Sequence, residues 1–381
     1  MHRLALWLTT LLFSTTLHGG SPATQPSATG KVDPASATRD AKSPLLWYDG
    51  HLLTIEGKGW TNTEDLYDRL PAKAKGHVPQ AVWGLSKDSA GLCVHFATDS
   101  PTIAARWTVR SPKLDMPHMP ATGVSGVDLY VRLDGQWRWT AAGRPLAPTN
   151  EATLLDGIPA SEHEYLLYLP LYNGTQSLEI GIVQNSALIN PGPRRPKPIC
   201  FYGTSIVQGG CASRPGMAHV AIIGRMLDVP TINLGFSGNG RMELQLAEVL
   251  ADLDASVYVL DCLPNMDARM VSERAGPFIE KLRQARPDTP IVLVENVAHV
   301  NALPKPSAPS RVSEENQALQ KVYQELVEKG MKGLTYVPRA GLLGNDDEGT
   351  VDGTHPTDLG FFRFAQGLAP ILAKAVGRSG N

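Results

Sequence analysis

A change of pattern near residue 196 constrains the fold of this 381-residue chain more than any other feature. Beyond it, apolar strand-like runs alternate with segments of helical periodicity, which is typical of parallel βαβ units with helices on both faces of one sheet. Strands are predicted at 198–203, 230–236, 256–262, 290–296 and 333–337. Helices are predicted near 217–227, 242–252, 270–286, 311–330 and 357–376. The sequence therefore predicts an α/β domain over residues 196–378.

Residues 45–190 follow another pattern, in which short alternating strands are separated by turn sequences such as Asn173-Gly174. The strand-like runs lie at 92–96, 103–109, 127–133, 164–169 and 176–182. This spacing favours an antiparallel β-sandwich, and we expect a jelly-roll-like accessory domain here. The Pro-rich, basic segment 186–197 is the expected junction between the two domains.

The amino terminus has the pattern of an export signal. A short basic start, Met1-His2-Arg3, precedes an apolar stretch over 4–17 and then small residues. We assign 1–23 to a signal peptide that is too short to span a bilayer comfortably, with an uncleaved anchor as the alternative. We thus expect an exported protein with no stable membrane span after cleavage. Residues 24–44, rich in Ser, Thr, Ala and Pro, are predicted to be a disordered linker.

The net charge and the cysteine content limit the classes of function that this chain can have. A net charge of −2 provides no positive electrostatic potential that would attract nucleic acid. Export permits disulfides among the four cysteines. Cys211 lies in a Gly-rich loop and is a better disulfide candidate than Cys200 and Cys262, which lie in apolar runs. The sequence does not decide which cysteines pair. No cysteine pair has metal-site spacing with histidine, so we expect neither a structural metal nor a cofactor.

Polar residues with catalytic chemistry follow several of the predicted strands. Ser205 comes after an apolar strand, and Asp352 and His355 lie three residues apart near the end of the chain. A serine hydroxyl becomes nucleophilic when a histidine removes its proton, and an aspartate can orient that histidine. The sequence therefore predicts a serine hydrolase, most simply an esterase, whose activity falls as acid protonates His355.

Attack on an ester creates an oxyanion that needs hydrogen-bond donors. The expected donors are the backbone N–H groups of Ser205 and Gly238 and the side-chain amide of Asn265. Each such donor is typically worth about 3 kcal/mol of transition-state stabilisation. Gly238 is preferred over Gly235 and Gly240 because a residue without Cβ lets the backbone approach the reacting carbon, but the sequence does not settle the choice.

Each of these motifs has an ordinary structural interpretation. Gly-x-Ser after a strand is more often a simple turn, and Asp352-Gly353-Thr354-His355 would also form an Asx turn. Asn265, after a proline, would serve as a helix N-cap. The appearance of all of them in order through the βαβ region is harder to explain by turns alone.

The pattern resembles the SGNH (GDSL-like) hydrolases over residues 196–376. That family supplies Ser, Gly, Asn and His from four blocks, and here they match Ser205 in GTSIVQGG, Gly238 in NLGFSGNG, Asn265 in CLPNMD and His355 in DGTHPTDLG. The resemblance implies a flavodoxin-like three-layer α/β/α fold. The first block reads Gly-Thr-Ser-Ile instead of Gly-Asp-Ser-Leu, and the third Leu-Pro-Asn-Met instead of Gly-x-Asn-Asp, without loss of a catalytic atom.

A second resemblance covers the amino-terminal half. Gly126-Val127-Asp128-Leu129-Tyr130 is similar to the GxDLY motif of a β domain found before some bacterial SGNH esterases, and residues 203–217 resemble the nucleophile block of that subfamily. Such proteins are usually regarded as exported carbohydrate esterases or acylhydrolases. The resemblance thus implies an acylated carbohydrate, or another small ester, as the substrate.

Four further positions are candidates for contact with a substrate. Arg214 could bind an anionic group such as a uronate, with a salt bridge as the equal alternative, and His299 follows a strand end, with a structural histidine as the alternative. Trp137 and Trp139 alternate with Arg138 beside a turn, so they share a face and one of them is expected to be exposed. Elsewhere, core packing is the stronger interpretation for the tryptophans.

These observations favour hydrolysis of a short acyl ester, most simply acetyl, on a carbohydrate. The sequence contains no long apolar lid segment of the kind a true lipase would need. Acyl transfer by the same site and a glycan-binding module with an inactive hydrolase half are the alternatives. The sugar, the acyl position and the oligomeric state are left open.

Overall fold

The computed structural model describes residues 29–41, 43–194, 196–298 and 308–377, so the expected signal peptide lies outside the described residues. The strands are β1 Gly30–Lys31, β2 Thr38–Arg39, β3 Leu45–Asp49, β4 Thr54–Glu56, β5 Cys93–Thr98, β6 Ile103–Val109, β7 Val127–Leu133, β8 Gln136–Gly143, β9 Thr149–Leu155, β10 His163–Tyr168, β11 Thr175–Val183, β12 Leu188–Asn190, β13 Ile199–Gly203, β14 Thr231–Gly235, β15 Val257–Asp261, β16 Ile291–Val294 and β17 Leu334–Val337. The helices are α1 Gln80–Leu85, α2 Ala121–Val124, α3 Ser205–Gln208, α4 His219–Met226, α5 Leu244–Leu250, α6 Ala268–Ala285, α7 Ala308–Glu328 and α8 Asp358–Ala375. Short 3-10 turns include Pro215–Met217 and Leu263–Asn265.

Two antiparallel sheets form the amino-terminal domain, as the alternating strands predict. One sheet has the order β1-β12-β5-β10-β7-β8, with β4 also paired to β5, and the other has the order β2-β3-β11-β6-β9. Their inward-facing side chains, among them Phe96, Trp107 and Leu129, are buried in one hydrophobic core. Burial of one face of each sheet is what a period-two hydrophobic pattern requires.

The prediction of a disordered linker over 24–44 was wrong for its described part. Gly30–Lys31 pairs with Ile189 and Asn190 of β12, and Thr38–Arg39 pairs with Leu46 and Trp47 of β3. Backbone hydrogen bonds to the edge strands of both sheets order this segment, although it has little apolar surface of its own. Residues 24–28 lie outside the described residues.

The carboxy-terminal domain contains a parallel sheet with the order β14-β13-β15-β16-β17. This is the 2-1-3-4-5 order of flavodoxin-like folds. Helices α5, α6 and α7 pack on one face and α3, α4 and α8 on the other, around two separate hydrophobic cores. The predicted three-layer α/β/α arrangement is confirmed, and each predicted strand and helix of this half is present.

Arg69 joins the two domains through a buried hydrogen-bond cluster. Its guanidinium donates to the carbonyl oxygens of Asn233 at 3.1 Å and Gly235 at 2.7 Å. Burial lowers the pKa of Arg69 to about 10, against the effect of nearby Asp88, so the group stays charged at neutral pH. The amino-terminal domain thereby contacts β14 close to its carboxyl end.

The four cysteines all lie within the described residues, and they are buried and unpaired. The expectation of a disulfide at Cys211 was therefore wrong. Cys200 and Cys262 are buried in the core on one face of the parallel sheet and Cys93 in a separate cluster, whereas Cys211 lies beside His355. None of the helices in the described parts of the chain combines the length and the apolar character needed to cross a bilayer.

Candidate active site

Three adjacent strands end in register beneath the candidate site. Gly203, the last residue of β13, lies opposite Gly235 of β14 on one side and Asp261 of β15 on the other. Ser205, Gly238 and Asn265 each follow one of these strand ends by a few residues. The carboxyl edge of an open parallel sheet is where such folds bind ligands, so these residues occupy the expected position.

A tight strand-to-helix turn holds Ser205. Thr204 caps α3 because its hydroxyl accepts a hydrogen bond from the Ile206 N–H at 3.3 Å, and Gly209, at a φ of 105°, ends this one-turn helix. The Ser205 carbonyl accepts from Gly210 N–H at 2.8 Å. Ser205 thus sits at the first position of α3, with its side chain free to face the loop that carries His355.

His355 connects Ser205 to Asp352. Ser205 Oγ lies 2.9 Å from His355 Nε2, and His355 Nδ1 lies 2.8 Å from Asp352 Oδ2. Partial burial opposes ionisation of Asp352, but the backbone and ring hydrogen bonds of His355 together hold the pKa of that carboxyl below its usual value. The arrangement can therefore take a proton from Ser205 and stabilise the resulting imidazolium.

The loop that carries His355 is also an Asx turn. Asp352 Oδ1 accepts from the backbone N–H groups of Thr354 at 3.0 Å and His355 at 2.7 Å. Gly353 has a φ of 83°, which favours glycine, and Thr357 caps α8 immediately afterwards. The turn and the catalytic interpretations of this motif are therefore compatible, because one oxygen of Asp352 shapes the loop and the other orients the ring.

The loop after β14 presents Gly238 next to the same turn. Gly238 has a φ of 67°, and an added Cβ would meet no atom within 4 Å, so glycine is required here by backbone conformation and the space above it is open. Ser237 N–H donates to Gln208 Oε1 at 2.9 Å and Asn239 N–H to the Phe236 carbonyl at 2.9 Å. The Gly238 N–H donates no hydrogen bond to another described residue, which suits an oxyanion donor.

Asn265 lies at the end of the 3-10 turn that follows β15. Its Nδ2 donates to the Asn239 carbonyl at 2.8 Å, which connects this loop to the one that carries Gly238. An amide nitrogen has two N–H groups, so one remains for an oxyanion. Asn265 is therefore oriented by the neighbouring loop, and it is not the helix cap that its sequence context also allowed, because Asp267 caps α6.

Gln208 is a positioning residue that sequence reasoning missed. It is completely buried in α3, and its Nε2 donates to Asp88 at 3.0 Å and to the Leu171 carbonyl at 3.1 Å, while its Oε1 accepts from Ser237. It thus connects the turn of Ser205, the Gly238 loop and the amino-terminal domain. Its place three residues after Ser205 was the only signal in the sequence.

The two predicted substrate contacts have different outcomes. Arg214 Nη1 donates to Asp128 at 2.7 Å and to the Tyr130 hydroxyl at 2.6 Å, so its guanidinium has internal partners and the salt-bridge alternative describes it better than uronate binding. The ion pair forms because the turn after α3 packs on β7, which a sequence pattern does not show. His299 lies outside the described residues.

The amino-terminal domain reaches the candidate site through His118. The His118 and His355 rings lie 5.6 Å apart between centroids, with the exposed His118 at the tip of a turn closed by two 3.0 Å hydrogen bonds between Met116 and Met119. Cys211 lies beside them, and burial together with the nearby Asp352 raises the pKa of its thiol to about 12. The thiol is therefore protonated at neutral pH, the form in which a cysteine is a poor nucleophile.

A groove of about 550 Å³ lies between β8 and the helices α4 and α8. Trp139 is 52% exposed there, whereas Trp137 is only 9% exposed, which confirms that one of the pair is accessible. Arg214 and Arg225 also line the groove. The Arg214 guanidinium lies 4.9 Å from the centre of the Trp139 ring, and the exposed remainder of that ring is suited to stacking on a polar ring.

Comparison with known families assigns both halves of the chain. Residues 196–373 match the model of the GDSL-like lipase/acylhydrolase family, and residues 45–188 match the model of the amino terminus of SGNH-hydrolase-type esterases. No curated protein matches the sequence significantly.

Several solved structures are similar over most of the chain. A protein of Bacteroides ovatus ATCC 8483 described as a GDSL-like lipase has 37% identity and a TM-score of 0.84, covering 88% of this chain and 99% of its own. A salicylyl-acyltransferase from a tetracycline biosynthetic pathway has 22% identity and a TM-score of 0.71, covering 89% and 100%. A family two carbohydrate esterase of Clostridium thermocellum, in complex with cellohexaose, has 15% identity and a TM-score of 0.56, covering 76% and 93%. The last two similarities concern the fold alone.

Proposed function

The chain belongs to the GDSL-like lipase/acylhydrolase family and is an ester hydrolase, and we propose that it is an exported serine esterase that removes short acyl groups, most simply acetyl, from a carbohydrate. The observation that carries this proposal is the hydrogen-bonded series from Ser205 through His355 to Asp352, with distances of 2.9 and 2.8 Å. These distances are within the range in which a base takes a proton from a nucleophile.

The geometry supports a two-step mechanism. Ser205 Oγ attacks the ester carbonyl carbon while His355 Nε2 takes its proton, and Asp352 stabilises the imidazolium through Nδ1. The tetrahedral oxyanion accepts hydrogen bonds from the N–H groups of Ser205 and Gly238 and from the amide of Asn265. His355 then protonates the leaving alcohol, and the acyl group remains on Ser205. A water molecule, activated by the same histidine, releases the acid.

A carbohydrate as the alcohol part of the ester is supported by two features. The groove beside Trp139, which is separate from the catalytic side chains, offers an exposed aromatic surface that suits a sugar ring. The fold is also shared with a carbohydrate esterase that was solved with cellohexaose. The preference for a short acyl group rests on the sequence, which contains no long apolar lid segment.

Export is supported by the basic start and apolar stretch at the amino terminus. If the signal is cleaved as proposed, the protein recovered from the exporting cell begins near residue 24. Intact mass measurement of that protein tests this point, and recovery of the full-length chain would contradict it.

The decisive test compares p-nitrophenyl acetate hydrolysis by the mature protein and by Ser205→Ala. Loss of the nucleophile is expected to lower kcat by at least about a thousandfold. Ser272→Ala, an exposed serine on α6, is the matched control and keeps the full rate. Equal turnover in Ser205→Ala and the parent would exclude Ser205 as the nucleophile, and no turnover in either would favour a glycan-binding module with an inactive hydrolase half.

Acyl transfer is a second candidate because the salicylyl-acyltransferase shares the fold over nearly the whole chain. In that reaction a sugar hydroxyl, and not water, attacks the acyl-Ser205 ester. Incubation with an acyl donor and an acceptor glycan separates the two reactions, since transfer yields acylated glycan in excess of free acid. Free acid in excess supports hydrolysis.

A further inference from the structure

Three metal-binding side chains from distant segments converge at the candidate site. A nitrogen of His118, the thiol of Cys211 and a nitrogen of His355 all lie within 4.8 Å of one another. Two imidazoles and a thiolate are among the preferred ligands of zinc, and three protein ligands with a fourth open position are typical of accessible zinc sites. No residue of this cluster was recognised as a metal ligand from spacing, because the three belong to three separate loops.

The geometry of the rings is close to that of a shared zinc ion. For Zn–N bonds of about 2.0–2.1 Å at a tetrahedral ion, the centres of two bound imidazoles lie about 5 Å apart. The centroids of His118 and His355 are 5.6 Å apart and the rings are inclined by 56°. His118 is exposed, so a small rotation of its side chain closes the remaining distance.

Cys211 is held in place beside His355. It has a φ of 73°, which is rare for a residue with a side chain, and it is 6% exposed. The neighbouring Gly210 is so close to the catalytic ring that an added Cβ would lie 3.0 Å from His355 Cδ2, the carbon bonded to Nε2. Because His355 Nδ1 is hydrogen-bonded to Asp352 at 2.8 Å, Nε2 is the ring nitrogen that a cation beside Cys211 would take.

We propose that His118, Cys211 and His355 form an inhibitory site for Zn²⁺, in which the ion takes His355 Nε2 away from Ser205. Zinc binding releases the thiol proton of Cys211 to solvent, and water occupies the fourth position. While the ion is bound, His355 cannot accept the proton of Ser205, so acylation stops. This proposal rests on the assignment of His355 as the catalytic base, and it adds a role for His118 from the amino-terminal domain.

Inhibition is tested first with purified protein freed of metal by a chelator. Zn²⁺ is expected to inhibit p-nitrophenyl acetate hydrolysis, and excess EDTA is expected to restore it. The rate of each protein in the presence of zinc is divided by the rate of the same protein without zinc. Cys211→Ser and His118→Gln are expected to raise the half-inhibiting concentration by about tenfold or more, because each loses a ligand. Cys93→Ser and His51→Gln, which alter a buried cysteine and an exposed histidine outside the cluster, keep the parental value.

A second measurement does not depend on activity. Co²⁺ replaces zinc in such sites and absorbs through its bond to a thiolate, so titration of the parent protein is expected to produce this band and Cys211→Ser is expected to lack it. Ser205→Ala is expected to bind Co²⁺ at least as tightly, since Ser205 no longer competes for His355.

The two proposals fail in distinguishable ways. A thiolate band without any esterase activity would contradict the proposed function and keep the metal site. Normal esterase activity with no thiolate band in the parent, or with unchanged zinc inhibition in both Cys211→Ser and His118→Gln, would overturn the metal site alone.

Discussion

The buried carboxylate of Asp128 lies 2.7 Å from the guanidinium of Arg214, which joins the GxDLY strand to the loop that follows Ser205. Asp128 also accepts from the Gly216 N–H at 2.8 Å and from Trp139 Nε1 at 2.9 Å. The aspartate of the amino-terminal motif is therefore a structural anchor for the loop that follows Ser205. This relationship gives the β domain a direct part in shaping the candidate site.

The first prediction concerns this ion pair. Asp128 is fully buried and the Arg214 side chain is 21% exposed, so loss of either partner leaves a poorly solvated charge. We expect Asp128→Ala to lower the free energy of unfolding by about 3–5 kcal/mol. A double-mutant cycle with Asp128→Asn and Arg214→Gln should show a coupling free energy of about 1–3 kcal/mol between the two side chains. Urea denaturation measures both quantities. The exposed pair Arg269–Glu273 is the control and should show no measurable coupling; equal results for the two pairs would contradict the prediction.

The second prediction concerns Asp352. Asp352→Asn keeps the shape of the loop but removes the charge that stabilises the imidazolium and selects the histidine tautomer. We expect kcat for p-nitrophenyl acetate to fall by about a hundredfold to ten-thousandfold, with little change in thermal stability. Asp347→Asn, at an exposed position of the same loop region, should keep the parental kcat. A parental rate in Asp352→Asn would exclude this carboxylate from catalysis.

The third prediction concerns the packing of α3 on β14. A Cβ at Gly235 would lie 2.0 Å from the Gln208 nitrogen and 2.6 Å from Gln208 Cα, so backbone must move. We expect Gly235→Ala to cost about 1–3 kcal/mol of stability and to reduce kcat sharply, because α3 carries Ser205. Gly276→Ala, within α6 and without close neighbours, should be neutral or stabilising by up to about 1 kcal/mol. Unchanged kcat in Gly235→Ala would show that the turn can shift without harm.

The fourth prediction is a pH dependence of stability that arises from Asp261. Burial raises its pKa to about 7, and neither carboxyl oxygen has a hydrogen-bond partner within the described residues. Because the folded-state pKa lies above the unfolded value of about 3.9, the folded form binds the proton more tightly, and stability falls as pH rises from about 4 to 7. Asp261→Asn, which does not ionise, should remove part of this decline.

Guanidinium denaturation at pH 5 and pH 8 measures this effect. The parent should lose more stability between the two values than Asp261→Asn does. Asp115→Asn, at an exposed aspartate, should follow the parent. The same decline in Asp261→Asn as in the parent would assign the pH dependence to other groups, such as Asp88, whose pKa burial raises to about 6.

Local sequence was sufficient for most of the fold and part of the site. The periodicity of each strand and helix, and the switch from alternating to βαβ pattern, depend on short-range geometry that a single segment already contains. The Asp352–His355 contact spans three residues and follows from a turn. The linker at 29–41 was misjudged because its order comes from pairing with distant edge strands.

The amino-acid sequence by itself determined the change from a β pattern to a βαβ pattern, the resemblance to a known family and the residue types of the candidate site. Only the tertiary structure decided which partners those side chains have. Ser205 and His355 are 150 residues apart in the chain, and Asp128 and Arg214 are 86 apart. The approach of His118 to His355 and the separation of the cysteines were likewise absent from any local pattern. Such contacts depend on how two independently patterned domains pack against each other, and no periodicity within a segment encodes that packing.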